Sequence, residues 1–429
     1  MSKKKSKGIP LYIQIIIGIV LGLLWGLTVP SFSWGIDFTL DYIKPVGTIF
    51  LRLLMVLAIP LVITSLITGV ASLKDLSRLK QIGIRTIGLF MITAFTATTL
   101  GIVLVNIIQP GKSLPEEMRK EMVEAYELNK QYSSENGLAQ KDDSKGKLAP
   151  LAELIPDNIF AAASNNRSMI QVVFFVLLFA IALTQIPSTK TEIVVRFFDG
   201  LNEIFIKLVT LIMYFAPIGV FALMGSAIIQ IAKDNPFHLI SALFWYVVTV
   251  LIGLFIILFL LYPLIFRLFS KIGYGQFFKG MRPALLLAFS SSSSSATLPV
   301  TIERVEKHLG VSKEVAGFVL PFGTTINMDG TAIYQCIAAV FLAQVYGLDL
   351  TIFQQVVIIL TATLGAVGAA GIPSAGIVTL TMVLQSVGIP LEGLVLILAP
   401  DRILDMFRTV INVAGDATAA VVIASHDKK

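Results

Sequence analysis

The sequence predicts an all-α polytopic membrane protein, on three observations. Of 429 residues, 55% are hydrophobic and only 14% charged, with a mean hydropathy of +0.84, whereas a soluble domain carries about 25% charged residues. Apolar runs recur at 11–29, 46–70, 82–108, 168–186, 203–231 and 238–267, each near or above the roughly 20 residues with which a helix crosses a bilayer. Lys and Arg fall in alternate connecting segments, as they do where basic loops stay on the cytoplasmic side.

The first run follows Lys3, Lys4, Lys5 and Lys7, a basic start that resembles a signal peptide. No small-residue cleavage site precedes Trp25 and Pro30, so it reads as an uncleaved first helix. With the N-terminus inside, the inside segments hold Lys74, Arg78, Lys80 and Arg85, then Lys190 and Arg196, then Arg267, Lys271, Lys279 and Arg282. The short outside turns hold Lys44 and Lys233. The formal charge of +6 is therefore a topology signal, and no nucleic-acid partner is expected. Residues 111–150, rich in Glu, Lys, Ser and Gln, fall outside as a polar loop without assigned chemistry. The lone Cys336 excludes an intramolecular disulfide and reads as a small buried packing residue. His238, His308 and His426 lie too far apart for a zinc spacing and read as solvated or interfacial.

Beyond residue 272 the pattern changes. Residues 285–300 read LLLAFSSSSSSATLPV, with six serines at 290–295, and the run from Phe353 to Val387 breaks at GAVGAAGIPSAG, residues 365–376. Apolar arms too short to cross alone, either side of a weak helical centre, predict two re-entrant hairpins. Irregular backbone at membrane depth survives where protein or a water-filled cavity satisfies it, so two tips imply one shared polar site. Ordinary spans packed through small residues are the alternative, which a serine sextet beside Pro299 fits poorly.

Between the hairpins, Gly323, Thr324, Thr325, Asn327, Met328, Asp329, Gly330 and Thr331 crowd one helix. Carbonyls turned inward at glycines, with Asn and Asp oxygens, make a ligand set for a desolvated hard cation. Packing between helices is the competing role. In the last helix, Asp401, Asp405, Arg408, Asn412 and Asp416 are spaced 4, 3, 4 and 4 and so share one side, with Thr409 beside Arg408. Counting Arg402, its ionisable groups would cost roughly 2.5–3.5 kcal/mol each at the bilayer centre. Large apolar neighbours return roughly 0.3–0.6 kcal/mol apiece. The stripe must therefore face protein or water. Its chemistry complements an acidic amino acid: Arg408 for a carboxylate, Asp405 for an ammonium, Asn412 and Thr409 for the remaining polar atoms. Internal ion pairing is the alternative.

SSSSSATLP, NMDGTA, GAAGIP and DMFRTVINVAGD occur here in order, and on them the chain resembles the dicarboxylate/amino acid:cation symporter family, which includes the glutamate transporters. The resemblance implies eight transmembrane helices plus two opposed hairpins in inverted repeats, assembled as a homotrimer in a prokaryotic inner membrane with both termini cytoplasmic. It divides the chain into scaffold helices 1–2 (1–80), transport-domain helix 3 (81–110), the extracellular loop (111–150), scaffold helices 4–5 (151–234) and the rest of the transport domain (235–429). It implies sodium-coupled import of aspartate or glutamate by an elevator movement. Arg408 would clasp the side-chain carboxylate and Asp405 the amino group. Thr331 and Asn412, with Thr409 beside them, would hold the other polar atoms, and backbone of Ser294, Ile372 and Gly376 would complete the pocket. One Na+ would lie among Gly323, Asn327, Asn412 and Asp416. A second would use Thr325, Met328, Ala366, Val367 and Ala369, and a third Phe90, Thr93, Asn327 and Asp329.

The chain departs from the family pattern in places. Phe90 and Ala94 stand where archaeal relatives have a tyrosine and a hydroxyl residue, which touches the third cation site. An arginine found in the first hairpin of archaeal relatives, or at the position of Met406 in animal ones, is replaced by Ser292 and Met406; Arg402, one turn earlier, is the available substitute. Gln335 stands where animal relatives have an acid, and it cannot titrate, so potassium return is not expected. Proton coupling, a C4-dicarboxylate cargo (for which Asp405 would lack an ammonium partner) and a pure channel are the other transport readings. Hydrolase chemistry at the serines lacks a neighbouring histidine and a GxSxG elbow.

Overall fold

The computed structural model describes residues 11–71, 80–115, 155–164, 169–231, 236–367, 371 and 375–427, and the described residues contain no strand. Helices α1 (Leu11–Thr28), α2 (Lys44–Val56), α3 (Ala58–Ala71), α4 (Lys80–Ile108), α5 (Met169–Gln185), α6 (Ser188–Met213) and α7 (Ala216–Ile231) form the first half. Two of the expected runs are not straight. The 46–70 run breaks at Leu57, because Pro60 has no N–H to give the Val56 carbonyl. The 203–231 run bends by 57° after Met213, four residues before Pro217, and its first helix extends back to Ser188. Among the described residues, five helices are long and apolar enough to cross a membrane, or six with that bent pair taken as one span.

α1 packs closely on α7, and that contact carries a signal not read above. Gly18, Gly22 and Gly26 recur every four residues and face α7 backbone. A Cβ on Gly22 would sit 2.6 Å from the Phe221 carbonyl oxygen, and one on Gly18 2.4 Å from that of Pro217. Small residues at this spacing let two helices approach where lipid offers no hydrophobic drive. Gly22→Leu is expected to force α1 off α7 and cost about 1–3 kcal/mol, read as a lower melting midpoint of the detergent-solubilised protein. An unchanged midpoint would show that this contact does not hold the bundle.

The second half comprises α8 (Pro236–Ile256), a π turn (Ile257–Leu261), α9 (Tyr262–Phe269), α10 (Tyr274–Ser291), α11 (Ser294–Leu309), α12 (Lys313–Ile326), α13 (Asp329–Val345), α14 (Ile352–Val367), α15 (Ala375–Ser386) and α16 (Leu394–Asp427). α10 packs on α11 and α14 on α15, so the two arms of each broken run lie against each other. The first breaks over only two of its six serines. Ser292 takes the left-handed region at φ 50° and stops α10, and the Ser293 hydroxyl accepts the Ala296 N–H to start α11.

The buried apolar residues fall into two main clusters. One is built mainly on α4 and α8–α16. The other joins α1–α3 and α5–α7 to a face of α15 and to Leu398 of α16. In the most apolar window of Lys313–Val345, 94% of residues are buried, and 83% in Pro400–His426, against 28% in the first span. The polar-rich helices are therefore the interior ones, while α1 turns Val20, Leu21 and Leu24 outward. Cys336 is buried and His238, His308 and His426 are exposed, as expected. Of the 111–150 loop only its start is described. Contrary to a free polar loop from residue 111, Pro110 and Gly111 are buried, and the Gly111 N–H donates to Gln344 Oε1 at 3.0 Å. The basic residues Lys3, Lys4, Lys5, Lys7, Lys74, Arg78 and Lys233 lie outside the described residues.

Candidate functional site

α16 carries a four-charge cluster deep in the molecule. Arg408 is fully buried, with Nη2 2.7 Å from Asp405 Oδ1 and 2.9 Å from Asp401 Oδ1. Arg402 Nη1 reaches Asp405 Oδ2 at 3.5 Å, so the residue one turn before Met406 does address this site. The Arg408 guanidinium also lies 3.8 Å over the Tyr334 ring, a contact strengthened by desolvation. Two cations against two carboxylates leave the cluster formally neutral. Yet Arg408 Nε and Nη1 have no hydrogen-bond partner, and a buried donor left so costs about 1–3 kcal/mol or more when charged. The cluster can therefore accept one more anionic group. Asp405 and Arg408, expected to hold opposite ends of a substrate, here hold each other.

The other expected substrate residues surround this cluster. Thr409 donates its hydroxyl to the Asp405 carbonyl at 2.7 Å, back along its own helix. Asn412 Oδ1 accepts the Gly330 N–H at 2.9 Å, and its Nδ2 lies 3.4 Å from the Thr331 hydroxyl. Gly330 makes this possible: a Cβ there would meet the Arg408 carbonyl oxygen at 2.6 Å, so α13 and α16 touch backbone to backbone. Gly376 lies between Thr331 and Arg408; a Cβ on it would be 3.0 Å from Thr331 Cγ2 and 3.3 Å from Arg408 Nη1. Its carbonyl accepts from Gln335 Nε2 at 3.2 Å, and that Nε2 also donates to Thr379 Oγ1 at 2.6 Å.

The two breaks meet at Gly371, whose carbonyl accepts the Ser293 hydroxyl at 2.7 Å and the Ser295 N–H at 3.2 Å. Ser294, between them, is buried as the first residue of α11, and no described bond joins it to Arg408. Ile372 lies outside the described residues.

α12 stops at Ile326 and α13 starts at Asp329, so the backbone at Asn327 and Met328 is out of the helical ladder, as the local sequence implied. Two oxygen clusters form there. In one, Asn327 Nδ2 donates to Asp416 Oδ1 at 3.1 Å, and Gly323 lies against the same carboxylate, where a Cβ would be 2.4 Å from Oδ1. In the other, Thr93 donates toward Asp329 Oδ1 and the Phe90 carbonyl, both at 3.1 Å, and Tyr262 donates to Asp329 Oδ2 at 3.0 Å. Met328 packs with Ala332 and Ala366 in a small cluster of its own. The Thr325 hydroxyl turns back to the Pro321 carbonyl at 3.4 Å. Val367 closes α14, and Ala369 lies outside the described residues. Asn412, expected beside Asp416, has its carbonyl oxygen on Gly330 instead.

Asp329 and Asp416 are both buried, and among the described residues neither makes an ion pair. Asn327 Oδ1, 1% exposed, has no hydrogen-bond partner. Two uncompensated carboxylates beside an orphaned carbonyl oxygen are what a hard cation would satisfy. Among the described residues no group of three or more His, Cys, Asp or Glu could hold a metal ion. A cation here would instead rely on amide, hydroxyl and backbone oxygens.

Two participants escaped the sequence reading. Tyr334 stands three residues after Thr331 on the same helix face, a spacing that could have placed it near Arg408. Tyr262 hides in an apolar run, and its one signal is the adjacent Pro263, which interrupts a span at a π turn.

Residues 11–426 match the model of the sodium:dicarboxylate symporter family. The chain is 35% identical over 418 residues to the "Proton/glutamate-aspartate symporter" of Escherichia coli (strain K12), covering 97% of this chain and 92% of that one. It is 35% identical over 422 residues to the "Proton/sodium-glutamate symport protein" of Bacillus subtilis (strain 168), again covering 97% and 92%. It is also 34% identical over 463 residues to "Excitatory amino acid transporter 3" of Oryctolagus cuniculus, covering 100% of this chain and 87% of that one.

Proposed function

The chain belongs to the sodium:dicarboxylate symporter family, and on that premise we propose that it imports aspartate and glutamate by sodium-driven symport. It is a membrane transport protein rather than an enzyme, as its relatives are by name. One observation carries the cargo: the buried Arg408, with two donors unpartnered, beside Asp405 and Gly376. A free amino-acid dicarboxylate presents a side-chain carboxylate for Arg408 and an ammonium for Asp405, so each buried charge exchanges one partner for another. Thr331, Asn412 and Thr409 take the main-chain carboxylate side, and backbone of Ser294, Ile372 and Gly376 closes over it. A C4-dicarboxylate would leave Asp405 without an ammonium to bind.

Sodium is supported by the two buried carboxylates and the free Asn327 oxygen. One ion would sit among Gly323, Asn327, Asn412 and Asp416. A second would take carbonyls of Thr325, Met328, Ala366, Val367 and Ala369, and a third Phe90, Thr93, Asn327 and Asp329. Filling these sites removes the cost of bare charge and favours a closed site, so ions and substrate assist each other. Proton coupling is the second reading, favoured by the printed names of the bacterial relatives.

The division into two apolar clusters supports an elevator, in which residues 81–110 and 235–429, with both hairpins, move against a scaffold of 1–80 and 151–234. That reading carries with it eight transmembrane helices, two re-entrant hairpins, a homotrimer, both termini in the cytoplasm and a prokaryotic inner membrane. Reconstituted protein is expected to accumulate labelled aspartate under an inward sodium gradient and not without it. Accumulation driven by a pH gradient in sodium-free buffer would replace sodium with protons.

A further inference from the structure

The hydroxyl of Tyr262 sits where three helices cross. It is 3.0 Å from Asp329 Oδ2 on α13 and 3.2 Å from the Ile411 carbonyl on α16, and Thr93 of α4 holds the other Asp329 oxygen. The ring is fully buried. Its place has a local cause: Pro263 has no N–H for the Phe259 carbonyl, and the chain widens into the π turn Ile257–Leu261 just before it. Such turns re-aim the residues that follow them and cluster at functional sites. On α16 the slot is kept open by Gly415, where a Cβ would lie 2.5 Å from the Tyr262 oxygen.

A phenol has one proton to donate, and here two acceptors compete for it. They belong to different sites. Asp329 is in the cation cluster, and Ile411 directly precedes Asn412, which holds the Gly330 N–H and touches Thr331. The geometry points to Tyr262 as a positioning residue that couples cation binding at Asp329 to the substrate-binding turn of α16. Without a cation, the O–H stabilises the Asp329 carboxylate. When a cation neutralises that charge, the Ile411 carbonyl becomes the better acceptor, and the O–H turns to it and steadies the turn that carries Asn412. This rests on the sodium reading above.

The readout is the ratio of aspartate Kd at low and at saturating sodium, measured on purified full-length protein. Tyr262→Phe removes one hydrogen bond to a charged group and is expected to shrink the wild-type ratio by about tenfold. A merely structural role would shift both Kd values by one factor and leave the ratio intact. Gly415→Ala, whose Cβ would meet the phenol oxygen at 2.5 Å and Asn327 Nδ2 at 2.9 Å, is expected to reduce the ratio in the same direction, and it serves as the reporting variant if Tyr262→Phe is not stably folded. A wild-type ratio preserved in the reporting variant overturns the coupling role alone. A wild-type ratio of one overturns the sodium reading and the coupling role with it.

Discussion

Arg408→Thr is expected to abolish aspartate and glutamate binding and to admit small neutral amino acids. Arg408 is the cation beside Gly376, and its Nε and Nη1 have no hydrogen-bond partner. Without it, a substrate's side-chain carboxylate would enter a buried site unpaired, beside Asp401 and Asp405 that have also lost their shared partner. Leaving a buried charge uncompensated costs about 3–5 kcal/mol, or a loss of roughly two to four orders of magnitude in affinity. Arg408→Lys is expected to rescue poorly, since an ammonium lacks the Nε and Nη1 donors left for a substrate carboxylate and the planar group that stacks on Tyr334. Binding of labelled aspartate, and of labelled serine or alanine, to detergent-purified variants is the measurement. Aspartate affinity unchanged in Arg408→Thr would overturn the assignment of this arginine to the cargo.

The second large effect is expected at Asp416. Asp416→Asn keeps the size of the side chain beside Gly323 and Asn327 and removes the charge that a cation would meet. Sodium should bind more weakly, and because coupling between sites is typically 5- to 150-fold, aspartate affinity at modest sodium should fall by about tenfold or more. High sodium should restore part of it by mass action. Aspartate titrations at several sodium concentrations, in wild type and variant, separate this from damage to the substrate site, which sodium would not repair. Wild-type affinity independent of sodium would turn the reading to proton coupling.

Much of this site was legible because membrane placement makes polar residues conspicuous. Against apolar runs, the stripe Asp401, Asp405, Arg408, Asn412 and Asp416 had no tolerable position except an interior one, and all five are buried. The breaks at Asn327 and at the serine run were legible for the same reason, since helix-weakening residues in a span need a purpose. Hidden were the features whose residue types are ordinary in a membrane helix. Tyr262 and the glycines of α1 read as apolar filler, and Pro60 and Pro217, inside runs taken as unbroken, were not read as breaks.

By itself, then, the sequence determined that the chain is helical, that it lives in lipid, which residues have to be sheltered from that lipid, and through its motifs the family. These follow from composition and spacing, which act along the chain. Only the tertiary structure decided the pairings: Arg408 between Asp401 and Asp405, Tyr334 under the guanidinium, Gly371 joining the two breaks, and Tyr262 between Asp329 and Ile411. Each joins groups by distance and direction to within a few tenths of an ångström. Helical periodicity fixes the face on which a side chain stands, while its partner depends on how closely the next helix packs, which here glycines such as Gly330 and Gly415 set by admitting contact that any Cβ would block.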